Sequence, residues 1–334
     1  MSLLVSRSLR YLVKQATAAP KLVFPLHREL SDVSEELPAL LTKIRRELED
    51  GGVPEPQLSA EYLLSKSLST GPASSPVLWA DWRSHPASSS GLSEAQLASL
   101  SRLVQCRLAQ VPLQYILGNW DFRNITVICR PPVFIPRPET EQLVELVLDN
   151  LPRPAHSLRL LEVGPGTGAV SLALLSETDR TTVASITCIE RAKAALELTR
   201  DNAALLGLED RMVLVPGRVG GDEDLEGLEG QYDLIFSNPP YILRKDLAQL
   251  SPQIALYEDL RALDGGADGL EVILSILELA TTRLRPGGLV ILEVDPCHPY
   301  ILPEKLKDKN IQFTVEKTVQ DFAGKDRFMV LKNS

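Results

Sequence analysis

Asn238-Pro239-Pro240-Tyr241 is the stretch whose residue types say most about chemistry. Proline has no N–H and a fixed φ, so the pair stiffens the backbone and removes two donors, leaving carbonyl acceptors at a set angle. A planar NH2 group has two protons to place. The Asn238 side-chain oxygen and the Pro239 carbonyl can each take one, while the Tyr241 ring covers a face of the group. Held in this way, the nitrogen turns its remaining lobe toward an incoming methyl carbon. Catalysis would come from proximity, orientation and polarisation of the NH2 by its acceptors, with no Lys, His or Asp base needed before attack. A plain proline turn accounts for the Pro-Pro pair but for neither Asn238 nor Tyr241.

Gly164-Pro165-Gly166-Thr167-Gly168-Ala169 lies between the apolar run LLEV and the helical run VSLALLSE. Glycines there allow a sharp turn that brings backbone N–H groups against a nucleotide-like ligand. The same letters satisfy the G-x-G-x-x-A dinucleotide fingerprint, so an NAD oxidoreductase competes at this point. Glu190 ends the run ITCIE about twenty residues further on, where a carboxylate accepts bonds from both ribose hydroxyls of an adenosine and repels a 2′-phosphate. That excludes NADP without separating NAD from S-adenosylmethionine. The asparagine loop separates them, because hydride transfer needs a base and a nicotinamide pocket, and Asn238 to Tyr241 supply neither.

These loops need a frame. After His156 the runs LRLLEV, ASITCIE, MVLVPG, YDLIFS and GLVILEV alternate with helical segments, the pattern of βαβ units and a parallel sheet covered on both faces. Ligands in such sheets bind beyond the C-terminal strand ends, at a topological switch point. Upstream, LPALLTKIRRELEDGG, PQLSAEYLLSKSL and SEAQLASLSRLVQCRLA predict three helices separated by loops at TGPASSP and HPASSSG. Between Asn119 and Pro136, ITVICR and VFI, split by Pro131 and Pro132, predict a two-stranded ribbon. IPRPETEQLVELVLDNL then becomes a helix, with Thr140 or Glu139 in its N-terminal turn and Leu143, Val144, Leu146 and Val147 on its apolar face.

A chain of 334 residues, 44% hydrophobic and 24% charged, is long enough for about two domains. No apolar run approaches the roughly 18 to 20 residues of a membrane-spanning helix, so no membrane insertion is predicted. Cys106, Cys129, Cys188 and Cys297 form no CxxC pair and read as reduced thiols. His27, His85, His156 and His298 lack ligand spacing and read as surface or loop residues, and no metal site is predicted. The runs Lys43 to Asp50 and Lys305 to Lys309 read as solvated helix faces. Net charge is −9, yet Arg7, Arg10, Lys14, Lys21 and Arg28 precede the first acidic residue, Glu29. Residues 1–28 therefore have the composition of a mitochondrial presequence, which predicts a matrix location. The remaining chain is more acidic still, which argues against stable binding of nucleic acid through its phosphates.

PLQYILGNWDF, FIPRPETEQLVE, LLEVGPGTGAVSLALL, YDLIFSNPPYI, ALDGGADGL and DFAGKDRFMVL, in that order, resemble the HemK family of release factor N5-glutamine methyltransferases. The resemblance implies a Rossmann-like seven-strand class I methyltransferase domain over 138–334. Ahead of it would lie a β-ribbon over 119–137 and a helical substrate-recognition domain over 31–118. It implies S-adenosylmethionine as cofactor and, as partner, a peptide chain release factor whose Gly-Gly-Gln glutamine is methylated. Gly164, Pro165, Gly166, Thr167, Gly168 and Glu190 would hold the cofactor together with Arg218 and Asn238. Asn238, Pro239, Pro240 and Tyr241 would hold the glutamine, and Arg137 and Glu139 would lie near the cleft. Three places depart from the family pattern: Pro216-Gly217-Arg218-Val219 where an acidic residue usually flanks adenine, Leu260, and Asp295-Pro296. An adenine-N6 nucleic-acid methyltransferase shares the Asn-Pro-Pro-Tyr loop and is the alternative reading. A cofactor-binding adaptor without activity is a third.

Overall fold

The computed structural model describes residues 36–68, 92–152, 156–221 and 225–333. Residues 1–28, read from sequence as a presequence, His27, His85 and the two loops predicted between the second and third helices lie outside them. The chain divides into two compact units between Asn119 and Trp120.

In the first unit, α1 (Leu37–Asp50), α2 (Pro56–Leu68) and α3 (Glu94–Leu108) match the three predicted helices. Leu37, Leu40, Ile44 and Leu48 recur at three- and four-residue spacing, so all four fall on one face, and all are buried. Ser93 and Gln96 cap α3 reciprocally, which satisfies donors that its first turn leaves free. Buried Arg107 joins the pieces: its guanidinium donates to Ser59 Oγ at 3.1 Å, the Val111 carbonyl at 3.0 Å and the Pro54 carbonyl at 3.2 Å. A short helix, α4 (Leu113–Leu117), completes the unit.

A two-stranded ribbon begins at the division, β1 (Asn119–Phe122) and β2 (Ile125–Ile128), with all but Asn119 in the second unit. This corrects the predicted pairing: VFI is not a strand. Arg123, at φ 51°, and Asn124 form a two-residue connection that joins NWDF to ITVI. Pro131-Pro132 offers no N–H to a ladder, and Val133 and Phe134 beyond it line a cleft instead.

Seven strands follow in the order β5-β4-β3-β6-β7-β9-β8. They are β3 (Leu158–Val163), β4 (Val183–Glu190), β5 (Met212–Pro216), β6 (Tyr232–Ser237), β7 (Leu284–Glu293), β8 (Phe313–Gln320) and β9 (Asp326–Asn333). The first five are parallel, as their nearly continuous apolar runs require. The last two are antiparallel, β9 along β7 and β8 outside it. A short connection from β8 to β9 permits only that direction.

Between β3 and β6 the strand order reverses. The chain leaves β3 toward β4 and β5, then returns to lay β6 against the other side of β3, which opens a crevice at their C-terminal ends. Flanking helices α5 (Glu141–Asp149), α6 (Ala169–Glu177), α7 (Lys193–Leu206), α8 (Pro252–Tyr257), α9 (Glu271–Arg283) and α10 (His298–Asp308) include those that cover the sheet. A core of Leu161, Ile235, Val290 and Leu292 from the strands packs with Ile273, Ile276 and Leu277 of α9. His298, read from sequence as a surface or loop residue, is fully buried at the start of α10, where its Nδ1 accepts from the Asp295 N–H at 3.3 Å.

Candidate functional site

Both predicted loops meet at the crevice. Register pairs Glu162 of β3 with Phe236 of β6, so the glycine loop and Asn238 leave adjacent strands at the same level. Ser237 Oγ locks the two ends together by donating to the Val163 carbonyl at 2.6 Å. The cleft they enclose measures about 1330 Å3 including its open mouth. Gly164, Pro165, Gly166, Thr167, Glu190, Arg218 and Asn238 to Tyr241 all line it. Gly168, Arg137 and Glu139 stand outside that lining.

Gly164, Gly166 and Gly168 have φ of 72°, 60° and 82°, a region costly for residues with a Cβ. At Gly164 and Gly166 a Cβ would meet nothing within 4 Å, so conformation alone demands glycine. At Gly168 crowding adds to it, because a Cβ would stand 2.9 Å from Thr199 Cγ2. Polar residues of α7 hold the loop from behind. Thr199 Oγ1 donates to the Gly166 carbonyl at 3.0 Å and Asn202 Nδ2 to the Thr167 carbonyl at 2.9 Å. Asn202 also accepts from the Ile128 N–H at 2.7 Å, which ties ribbon to glycine loop.

Glu190 sits buried at the end of β4, accepting from the Ala192 N–H at 2.8 Å and the Gly166 N–H at 3.4 Å. Burial pushes its carboxyl up, and the backbone donors oppose that. A strand-end carboxylate beside a turn of positive-φ glycines fits an adenosine ribose and the methionine part of S-adenosylmethionine. Arg218 contributes to the wall, while its guanidinium bonds Glu271 at 3.2 Å.

Asn238 is held by residues that sequence reasoning did not assign to the site. Its Nδ2 donates to Thr140 Oγ1 at 3.0 Å, and Thr140 donates to Glu293 Oε2 at 2.8 Å. The other oxygen, Glu293 Oε1, accepts from the Tyr241 hydroxyl at 3.2 Å. Thr140 was expected in a helix N-terminal turn. It does precede α5 but makes no side-chain cap there, because its hydroxyl belongs to this network. Burial pushes Glu293 up to about 7 against the bonds from Thr140 and Tyr241. Burial likewise keeps the Tyr241 phenol protonated.

Arg137 lies beside the cleft. Its guanidinium donates to both oxygens of buried Glu258, at 2.7 and 2.9 Å, and stacks 4.6 Å over the Phe134 ring. Phe134 lines the cleft, so Arg137 bears on the wall from outside. Glu162 is a further unassigned residue: fully buried on β3, accepting a short hydrogen bond from Ser171 and pushed up to about 7 by burial. A signal for both missed acids was present. LLEV, CIE and ILEV each carry a glutamate at the C-terminal end of an apolar strand, and only Glu190 was used.

The sheet order and a glycine loop facing an asparagine-proline loop define a class I methyltransferase. The family model for the PrmC N-terminal domain matches residues 39–118, and that for the methyltransferase small domain matches residues 124–255. The chain belongs to the HemK/PrmC family of release factor glutamine methyltransferases. It is 38% identical to the human MTRF1L release factor glutamine methyltransferase over 86% of this chain and 84% of that protein. Against the release factor glutamine methyltransferase of Deinococcus radiodurans it is 33% identical over 88% of this chain and 97% of the relative. The Mycolicibacterium smegmatis enzyme of the same name is 37% identical over 70% of this chain and 79% of its own.

Proposed function

We propose that the protein transfers a methyl group from S-adenosyl-L-methionine to the side-chain amide nitrogen of the glutamine in the Gly-Gly-Gln motif of a mitochondrial peptide chain release factor. The observation that carries this reading is the orientation of Asn238. With Nδ2 given to Thr140, Oδ1 is the end of the amide left to accept a proton from a target NH2. The names of the relatives supply the substrate class.

In this reading Gly164 to Gly168 and Glu190 bind the donor, with Arg218 at its rim. The donor supplies a methyl carbon on a sulfonium, a strong leaving group. Asn238 Oδ1 and the Pro239 carbonyl accept hydrogen bonds from the two amide N–H groups and fix the nitrogen with its remaining face toward the donor. Pro240 stiffens the loop, and Tyr241, anchored through its hydroxyl to Glu293, flanks the planar group. These residues position and polarise; none removes a proton before attack, because the N–H becomes far more acidic once the new bond forms and the thioether leaves, and its proton then passes to solvent water. Arg137 and Glu139 stay at the margin.

Incubation with methyl-labelled donor and three acceptors tests the reading: a release factor, the same factor with its Gly-Gly-Gln glutamine replaced, and unmethylated DNA. Label in the intact factor alone is the expected result. Label in DNA would establish the adenine-N6 alternative, and cofactor binding without any transfer would establish the adaptor. The mitochondrial part rests on the composition of residues 1–28. A fluorescent reporter carrying those residues should enter mitochondria, and uniform cytosolic fluorescence would contradict it.

A further inference from the structure

We infer that Glu293 and Thr140 are positioning residues that set the polarity of the Asn238 amide: ionised Glu293 makes Asn238 present an oxygen to the cleft, and protonated Glu293 releases it to present NH2. The inference rests on the target being an NH2 group, the reading given above, and adds a pH-governed condition for its capture.

The argument follows donors and acceptors. An ionised carboxylate can only accept, so both hydroxyls that reach Glu293 must donate to it: Thr140 at 2.8 Å and Tyr241 at 3.2 Å. A threonine hydroxyl has one proton. Once that proton points at Glu293, Thr140 Oγ1 can only accept from its other neighbour, and Asn238 must offer Nδ2, as it does at 3.0 Å. The amide is rigid and planar, so its Oδ1 is thereby committed to the opposite side. A negative charge two residues removed along a hydrogen-bond chain thus decides which end of an uncharged side chain meets the substrate.

Protonation undoes the ordering. Neutral Glu293 gains a donor of its own, which can satisfy Thr140, and the threonine proton is then free to turn toward Asn238. In that arrangement the amide rotates to supply Oδ1 to Thr140 and directs Nδ2 at the cleft, where two donors face each other and a target NH2 finds no acceptor. The groups facing Glu293 are Glu139 ahead of α5, which pushes its carboxyl up, Arg327 of β9, which pulls it down, Tyr241, and Thr140. Arg327 is itself shared with Asp321 at 3.1 Å, and Asp295 stands near the Tyr241 hydroxyl. Burial outweighs the stabilising partners and brings Glu293 to about 7, so the exchange falls within the range of ordinary intracellular pH.

Two measurements test this on the full chain. In the first, kcat and KM for the release factor are followed against pH for the wild type, Glu293→Gln, Thr140→Val and Thr140→Ser. Wild-type kcat should rise with pH through about 7. Glu293→Gln, which has no carboxyl proton to gain or lose, should lack that limb, with little change in KM or in binding of S-adenosylhomocysteine. Thr140→Val should lose about tenfold or more in kcat, and Thr140→Ser should restore turnover. Wild-type kcat in Thr140→Val, or a pH limb that persists unmoved in Glu293→Gln, would overturn the inference. In the second, the side-chain NH2 resonance of Asn238 in 15N-labelled protein is followed without substrate. It should titrate with pH in the wild type and not in Glu293→Gln, whereas a pH-invariant resonance would overturn the inference. Failure of the wild type to label the factor would sink the reading of function alone, since the resonance still decides the polarity question.

Discussion

At the residue scale, chemistry concentrates in Asn238 and the groups that hold it. Replacing Asn238 with alanine removes an acceptor of the target NH2 but leaves the glycine loop and Glu190 untouched. Turnover should therefore vanish while S-adenosylmethionine affinity, read by calorimetry, stays within about tenfold. Retained turnover would mean that Asn238 does not hold the target. The Asn-Pro-Pro-Tyr loop was legible in sequence because its residue types are unusual as a set. Thr140 and Glu293 were not, because each also has an ordinary local explanation, as a helix-start threonine and as the last residue of an apolar strand. Their joint role depends on a contact spanning 153 positions, which no local pattern encodes.

At the element scale, strand ends decide where chemistry happens and one helix decides how firmly the glycine loop is held. Gly168 joins β3 to α6 at φ 82° with Thr199 and Leu172 against the place where a Cβ would stand. Gly168→Ala should cost about 1–3 kcal/mol, read as a lowered Tm, and should weaken cofactor binding as the loop shifts. A variant of unchanged Tm and affinity would show that the turn tolerates a side chain. Helices α1 to α3 and strands β3 and β6 were readable to within a residue or two, since their apolar periodicity is strong and Gly51, Ser93 and Pro239 punctuate it. The ribbon was misread because ITVI alternates equally well whichever neighbour it pairs with. Strand β8 carries charged and polar residues through Phe313–Gln320 and was not picked out by pattern, as a strand at the sheet edge keeps one face in water.

At the scale of the whole molecule, burying carboxyls beside the cleft leaves a mark on stability. Glu162 is pushed from 4.5 up to about 7 by burial, and Glu293 moves in the same direction. Below pH 4.5 such a group is protonated in folded and unfolded chains alike, and the folded state keeps its full advantage. As pH rises toward 7 only the unfolded chain releases the proton freely, so stability declines across that window and levels off above it. Glu162→Gln keeps the shape without the titration, and should raise Tm at pH 8 by roughly 3 °C or more and by less at pH 5. An equal change at both would contradict the assignment. Division into a helical unit and a sheet unit was legible from the switch in periodicity, with the helical stretch read to end at 118, one residue from the observed division; that the ribbon belongs with the sheet unit was not, because it is tied to the glycine loop by Asn202, 74 positions away from Ile128. The most direct measurement of the central claim is a crystal structure of the protein with S-adenosylhomocysteine and a glutamine-bearing Gly-Gly-Gln peptide. The account predicts the target nitrogen within about 3 Å of both Asn238 Oδ1 and the Pro239 carbonyl, facing the sulfur. An Asn238 turned out of the cleft, or a target nitrogen bound elsewhere, would contradict it.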